Sequence, residues 1–250
     1  MAGREVIEEK ANKTIYREGN TIIKAFAPNH PKADVFNEAF IQSCVEAAGL
    51  PVPKLLGVTE EDGRWCLAME RIEGTDLRRI MQQDEGRLDE YLEKFVDIQI
   101  EFGAHRVPRL RNTRYKMEEI ISGMRDELDA STRYELMQRI HAMRRHTRLC
   151  HGDYVPANVI LREDGSYVVL DWAHATAGNA GADAAITYMR LCLEMPAIAD
   201  DYLQLYSRKA DMPVQYIEKW MPIVAAAQLS KHVPEEKELL TSWVSVAEYQ

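Results

Sequence analysis

Cysteine is scarce and scattered in this chain. Cys44, Cys66, Cys150 and Cys192 are the four in 250 residues, each among apolar neighbours and none in a C-x-x-C pair. Zinc sites and dithiol redox chemistry are thereby disfavoured, and buried, reduced thiols are expected. Long apolar runs are missing too: no stretch approaches the roughly 18 residues of a membrane span. The opening MAGREVIEEK has no apolar signal core, so no membrane association is expected and the cytoplasm is the expected location. Basic residues are in deficit, 31 Lys plus Arg against 40 Asp plus Glu for a net charge of -9, and they concentrate only from Arg106 to Arg114 and at Arg144-Arg145. Nucleic acid is not an expected partner. An acidic balance suits a cationic substrate but is equally ordinary for a cytosolic protein. There is no internal repeat, low-complexity segment or Ser/Gly linker. The absence of any G-x-x-x-x-G-K-[ST] disfavours P-loop chemistry.

What is present is an ordinary globular composition, 46% hydrophobic and 28% charged, in a chain long enough for one large or two small domains. Residues 12–17 and 20–26 flank Glu18-Gly19 and read as a hairpin. Over 32–48 the apolar Val35, Phe36, Ala39, Phe40, Cys44, Val45 and Ala48 recur at helical spacing until Gly49 stops them. Residues 52–58 and 65–72 read as two further strands turning at Glu61-Asp62-Gly63. After Gly74 the pattern is helical. Leu88, Leu92, Phe95, Ile98 and Phe102 form one stripe, ending near Gly103. Residues 117–128 and 134–145 predict two more helices, and 184–194, 198–209, 213–230 and 235–247 a helical tail with Pro222 as a kink or break.

The densest chemistry lies in HGDYVPANVILREDGSYVVLDW, residues 151–172. Val159-Ile160-Leu161 and Tyr167-Val168-Val169-Leu170 are joined by Glu163-Asp164-Gly165-Ser166, and Asp-Gly between alternating apolar residues predicts a hairpin. Its antiparallel strands bring Asn158, just before the first, and Asp171, just after the second, to one end of the ribbon. With Asp153 on the preceding loop, three oxygen-bearing side chains converge. That suits magnesium, which takes few protein ligands and leaves room for phosphate oxygens.

The pattern H-G-D-x-x-x-x-N followed by a strand-end D-W resembles the aminoglycoside phosphotransferase and choline kinase group, the phosphotransferase enzyme family with a protein-kinase-like fold. The resemblance implies an α+β, bilobal, protein-kinase-like fold. Residues 1–73 would be a small antiparallel-sheet N-lobe with one helix, binding the nucleotide phosphates and purine. Residues 74–250 would be a larger, mainly helical C-lobe with the catalytic loop and acceptor site. It implies transfer of the γ-phosphoryl group of ATP, or GTP, with magnesium, to a hydroxyl of a small molecule: aminoglycoside-like, choline-like or another metabolite.

By resemblance Asp153 is the catalytic base, Asn158 and Asp171 hold magnesium, and His151 braces the catalytic loop. Lys24 holds the α- and β-phosphates, with Glu38 as its partner and Glu46 a weaker choice. The Glu70 carbonyl and Ile72 amide meet the purine edge, and Asp76 reaches the ribose. Asp183 opens the next helix and ties down the catalytic loop; read alone it is an N-cap. Twelve residues from Asp171 to Asp183, with no A-P-E following, favour a small-molecule acceptor over a protein. No G-x-G-x-x-G covers the phosphates, and the turn at residues 17–20 is the expected substitute. Asp200, Asp201, Glu235, Glu236 and Glu238 are available to amino groups of an acceptor. Two other readings stay open: a catalytically silent nucleotide-binding scaffold of the same fold, and a metallohydrolase built from His151, Asp153, Asp171 and His174, which lacks an H-x-H or H-E-x-x-H spacing.

Overall fold

A computed structural model describes residues 3–10 and 12–245. In chain order they form β1 (Glu5–Lys10), β2 (Lys13–Glu18), β3 (Thr21–Phe26), α1 (Lys32–Ala47), β4 (Leu55–Glu61), β5 (Arg64–Glu70), β6 (Thr75–Asp76) and α2 (Leu77–Gln83). There follow α3 (Leu88–Gly103), α4 (Thr113–Gly123), α5 (Ala130–Ala142), β7 (Arg148–Cys150), β8 (Val159–Leu161), β9 (Tyr167–Val169) and β10 (Thr176–Gly178). The chain closes with α6 (Ala180–Glu194), α7 (Ala199–Lys209), α8 (Val214–Glu218), α9 (Met221–Leu229) and α10 (Lys237–Ser245). No helix among the described residues is long and apolar enough to cross a membrane.

Two compact units divide the chain: Met1–Gly86 with Pro156–His174, and Arg87–Val155 with Ala175–Gln250. The first is built on an antiparallel sheet of order β1-β2-β3-β5-β4. Strand alternation sorts β3 into two faces. Phe26 packs with Val35 and Ala39 of α1 and with Leu67 and Met69 of β5, whereas Ile23, Ala25 and Cys66 cluster on the opposite face. Lys24 shares the parity of Phe26, so it points to the α1 side. β1 has no counterpart in the expected elements, because all six of its residues are exposed and no buried face imprints an apolar alternation; pairing with β2 alone holds it.

The boundary expected after residue 73 falls where the chain leaves this sheet, yet the unit continues to Gly86 and regains Pro156–His174. Strand pairing is the reason. Thr75 and Asp76 of β6 pair with Leu161 and Ile160 of β8, and the Val169 amide donates to the Pro51 carbonyl at 2.9 Å. Gly74 makes that approach feasible: its φ is +139°, and a Cβ there would lie 2.4 Å from the Leu161 carbonyl oxygen and 2.6 Å from Ile160 Cγ2. Gly74→Ala is expected to cost about 3 kcal/mol from backbone strain and overlap, read as a lower urea midpoint at unchanged slope.

The second unit is helical, around Phe95, Phe102, Tyr154, Tyr202 and Trp220, all buried. The Phe95 and Tyr154 rings stack at 4.3 Å, and the Tyr154 hydroxyl donates to the Phe95 carbonyl at 2.8 Å. The single helix expected over 213–230 is two, with Pro222 in the first turn of α9, where a missing N–H costs nothing. The helix expected over 235–247 is α10, and residues 246 and 247 lie outside the described residues. Likewise α6 begins before residue 184 because Asn179, not Asp183, caps it: the Asn179 side chain accepts the Gly181 N–H at 2.9 Å.

Candidate active site

In the first unit, alternation along β3 and periodicity along α1 meet at one ion pair. Glu38 stands one turn from Val35 and beside Ala39 on the inward face of α1. Lys24 Nζ donates to Glu38 Oε1 at 2.7 Å and to Asp171 Oδ1 at 2.7 Å. Burial alone would push the Lys24 ammonium toward its neutral form, but the charges of Asp171 and Glu38 outweigh it and raise its pKa above the ordinary 10.5. The other glutamate considered, Glu46, instead accepts the Leu55 amide at 2.9 Å.

The hairpin of β8 and β9 pairs Val159 with Val169 and Leu161 with Tyr167. Asn158 and Asp171 leave the same end of it, and the Leu170 amide donates to the Asn158 carbonyl at 2.8 Å. Asp171 sits at φ +57°, a left-handed backbone that costs energy for any residue but glycine and that Asp tolerates better than most. This turn aims its carboxylate at Lys24. Glu70 ends β5, its amide donating to the Lys54 carbonyl at 2.9 Å, and Ile72 follows in irregular chain. Asp76, expected at a ribose, acts locally, and its carboxylate caps α2 by accepting the Arg79 amide at 2.9 Å. In the turn at residues 17–20, Gly19 takes φ +58° and Arg17 pairs with Glu5.

The second unit holds the H-G-D segment. His151 is fully buried, and its Nδ1 accepts the Asp153 amide at 3.2 Å. Asp183, inside α6, accepts the Gly152 amide at 2.7 Å and Gln99 Nε2 at 3.3 Å. Burial drives the Asp183 carboxyl pKa up, opposed by hydrogen bonds from the Gly152 and His151 amides and from Gln99. Gln99 in turn accepts the Tyr202 hydroxyl at 2.6 Å, so this loop is tied to α3, α6 and α7 together.

Sequence reasoning missed Arg190. On α6 it lies beside three carboxylates: Nε is 3.2 Å from Asp153 Oδ1, Nη1 is 3.6 Å from Glu236 Oε1, and Nη2 pairs with Glu194. The Nε–H is buried and misaligned with Asp153, so that contact is Coulombic rather than a hydrogen bond. Its sequence signal is only an Arg four residues before a Glu, which reads as a surface helical pair. The metallohydrolase set fares poorly: His174 is exposed, and no group of three or more His, Cys, Asp or Glu among the described residues is placed to hold a metal ion.

A model of the phosphotransferase enzyme family matches residues 5–216. Among solved structures, a thermostable mutant of aminoglycoside phosphotransferase APH(4)-Ia in its apo form superimposes with a TM-score of 0.71 at 14% identity, over 98% of this chain and 92% of that one. Its ternary complex with ADP and hygromycin B gives 0.71 at 12% identity, over the same shares of the two chains. Choline kinase LicA from Streptococcus pneumoniae gives 0.65 at 15% identity, over 99% of this chain and 92% of that one. At such identities the likeness is one of fold, the protein-kinase-like fold. No functionally curated protein matches.

Proposed function

The chain belongs to the phosphotransferase enzyme family, and from that premise we propose that it moves the γ-phosphoryl group of ATP, with GTP the other candidate donor, onto a hydroxyl of a small molecule. The observation that carries the reading is Lys24, a buried ammonium held at 2.7 Å by both Glu38 and Asp171. A buried ammonium fixed by two carboxylates, one of them at the end of the β8–β9 hairpin, has its donors oriented to meet phosphate oxygens. Lys24 would grip the donor phosphates while Glu38 keeps it in place, and the backbone of Glu70 and Ile72 would meet the purine edge. Asp153 would orient the acceptor hydroxyl and take its proton. His151, through its Nδ1, and Asp183, through the Gly152 amide, would keep the Asp153 loop from moving. We assign the protein to the cytoplasm, in keeping with three buried, unpaired cysteines.

Magnesium fits the donors. Asn158 and Asp171 would be its oxygen ligands, at one end of the hairpin, and magnesium takes one or two protein ligands and completes its shell with phosphate and water. When bound, it neutralises charge on the transferring phosphoryl group. Asp171→Ala is expected to weaken magnesium-ATP binding about 10- to 100-fold while Lys24 keeps Glu38, measured by isothermal titration.

The test is a thermal shift with magnesium-ATP followed by transfer assays over a panel of hydroxyl compounds. Stabilisation with turnover on at least one acceptor is expected. Stabilisation with none would favour the silent scaffold, and no stabilisation would remove the nucleotide reading altogether.

A further inference from the structure

Two stretches of the chain concentrate basic residues, 106–114 and 144–148, and the second unit folds them together although most of α4 and all of α5 lie between them. Hydrogen bonds do the stitching. The Leu149 amide donates to the His105 carbonyl at 3.0 Å, Asn112 Nδ2 to the His146 carbonyl at 3.4 Å, and Arg148 Nη1 to the Ala104 carbonyl at 2.8 Å. A cavity of about 320 Å³ opens at the junction, lined by Arg106, Arg114, Arg145, Arg148 and His146, and no Asp or Glu is among its lining residues. None of these residues belongs to the site described above.

In a chain of net charge -9 that local balance is an exception. Compensation is partial: Arg114 Nε donates to Glu118 Oε1 at 2.8 Å along α4, but the guanidinium groups of Arg106 and Arg145 form no ion pair or hydrogen bond with any described residue. A larger cavity of about 1190 Å³ shares Arg148 and His146 with the first and adds Arg139, Arg144 and Lys219 against one carboxylate, Asp211. Positive charge therefore accumulates on both sides of the 144–148 segment. The net acidity of the protein cannot supply this attraction for an anion, so it is local to the cavity.

We propose that the smaller cavity is a second binding site, for the phosphate group of a small phosphorylated compound. Four guanidinium groups offer planar forks of N–H donors that match phosphate oxygens, and two of them have no protein partner to give up. Like charges brought this close repel, and a phosphate between them turns repulsion into attraction. The N-terminal end of α4, capped by Asn112 on the cavity wall, adds the positive end of its dipole. The volume suits a phosphate with a short organic tail, being at the small end of ligand pockets.

The experiment follows modification of individual arginines by a dicarbonyl reagent, read by mass spectrometry, in the full-length protein at fixed ionic strength. Magnesium and a non-hydrolysable ATP analogue are present throughout, so that a phosphate compound does not act by entering the donor site. Glycerol 3-phosphate should slow labelling of Arg106 and Arg145 at least about fivefold, while glycerate and glycerol do not, and Arg208, exposed on α7, keeps its rate. Arg145→Glu should weaken glycerol 3-phosphate binding at least about tenfold by isothermal titration, whereas Arg208→Glu, the same change of charge elsewhere, moves it less than about twofold. Because Arg145 has no partner, its reversal orphans no group in the fold. No protection at about 10 mM glycerol 3-phosphate overturns the site. Equal protection of Arg208 would mean a diffuse ion atmosphere, and equal protection by glycerate would mean any anion; either result also overturns it. The labelling is resolved residue by residue, so all these outcomes leave the phosphotransferase reading untouched.

Discussion

Asp153→Asn is expected to lower phosphoryl transfer about 10²- to 10⁴-fold, the usual worth of a general base, while magnesium-ATP affinity stays within about twofold. The change is nearly isosteric and removes only the charge. Arg190 keeps Glu194 and Glu236, so no buried cation is orphaned, and stability should move by no more than about 1 kcal/mol. That separation is what makes the variant informative. Steady-state transfer and a nucleotide titration by thermal shift on the same preparation check it, and full activity in the variant would remove Asp153 from the mechanism.

Lys24→Met should damage both fold and function. Glu38 and Asp171 would face each other without the ammonium that each now meets at 2.7 Å. Removing one member of a largely buried ion pair costs about 3–5 kcal/mol because the remaining charge is uncompensated. In a chain of this size that is roughly a 10 °C lower melting temperature. Nucleotide KM should rise at least about tenfold, with Lys24→Arg recovering stability better than activity, since a guanidinium fork does not reproduce a point charge. The pH dependence has a definite sign. Because the folded pKa of Lys24 lies above its ordinary 10.5, the stabilisation is fully present below that value and is lost only as pH rises through the higher folded one. The gap in stability between wild type and Lys24→Met should therefore hold steady from neutral pH to about pH 10 and close above it, as denaturant titrations at several pH values can read. A gap that closed near neutrality would contradict the pairing.

The residues written most legibly in the sequence are those whose placement follows from local rules. Asp-Gly fixes the hairpin of β8 and β9, the hairpin fixes Asn158 and Asp171 at one end, and strand parity turns Lys24 toward α1. Asp183 is harder to read, because a carboxylate near a helix start is ordinarily a cap; only the competing cap at Asn179 makes it an interior, buried acceptor. Gly74 reads as a release point, whereas its reason is the approach of β8, more than eighty residues later in the chain. Arg190 leaves only the signal of an Arg four residues before a Glu, a pattern of ordinary surface helices. Its place beside Asp153 comes from the fold, which sets α6 against the H-G-D loop. Local chemistry is written in the order of residues, and electrostatic surroundings are not.

The two borders of the five-stranded sheet bear on how the protein behaves in a crowded solution. β1 presents Glu5, Glu8, Glu9 and Lys10, and β4 ends in Glu60 and Glu61. A border strand offers its backbone to any passing strand, and charge of one predominant sign makes another copy of the same border an unwelcome mate. A small part of the acidity that says little about the substrate is thus placed where it keeps molecules of this protein from zipping together.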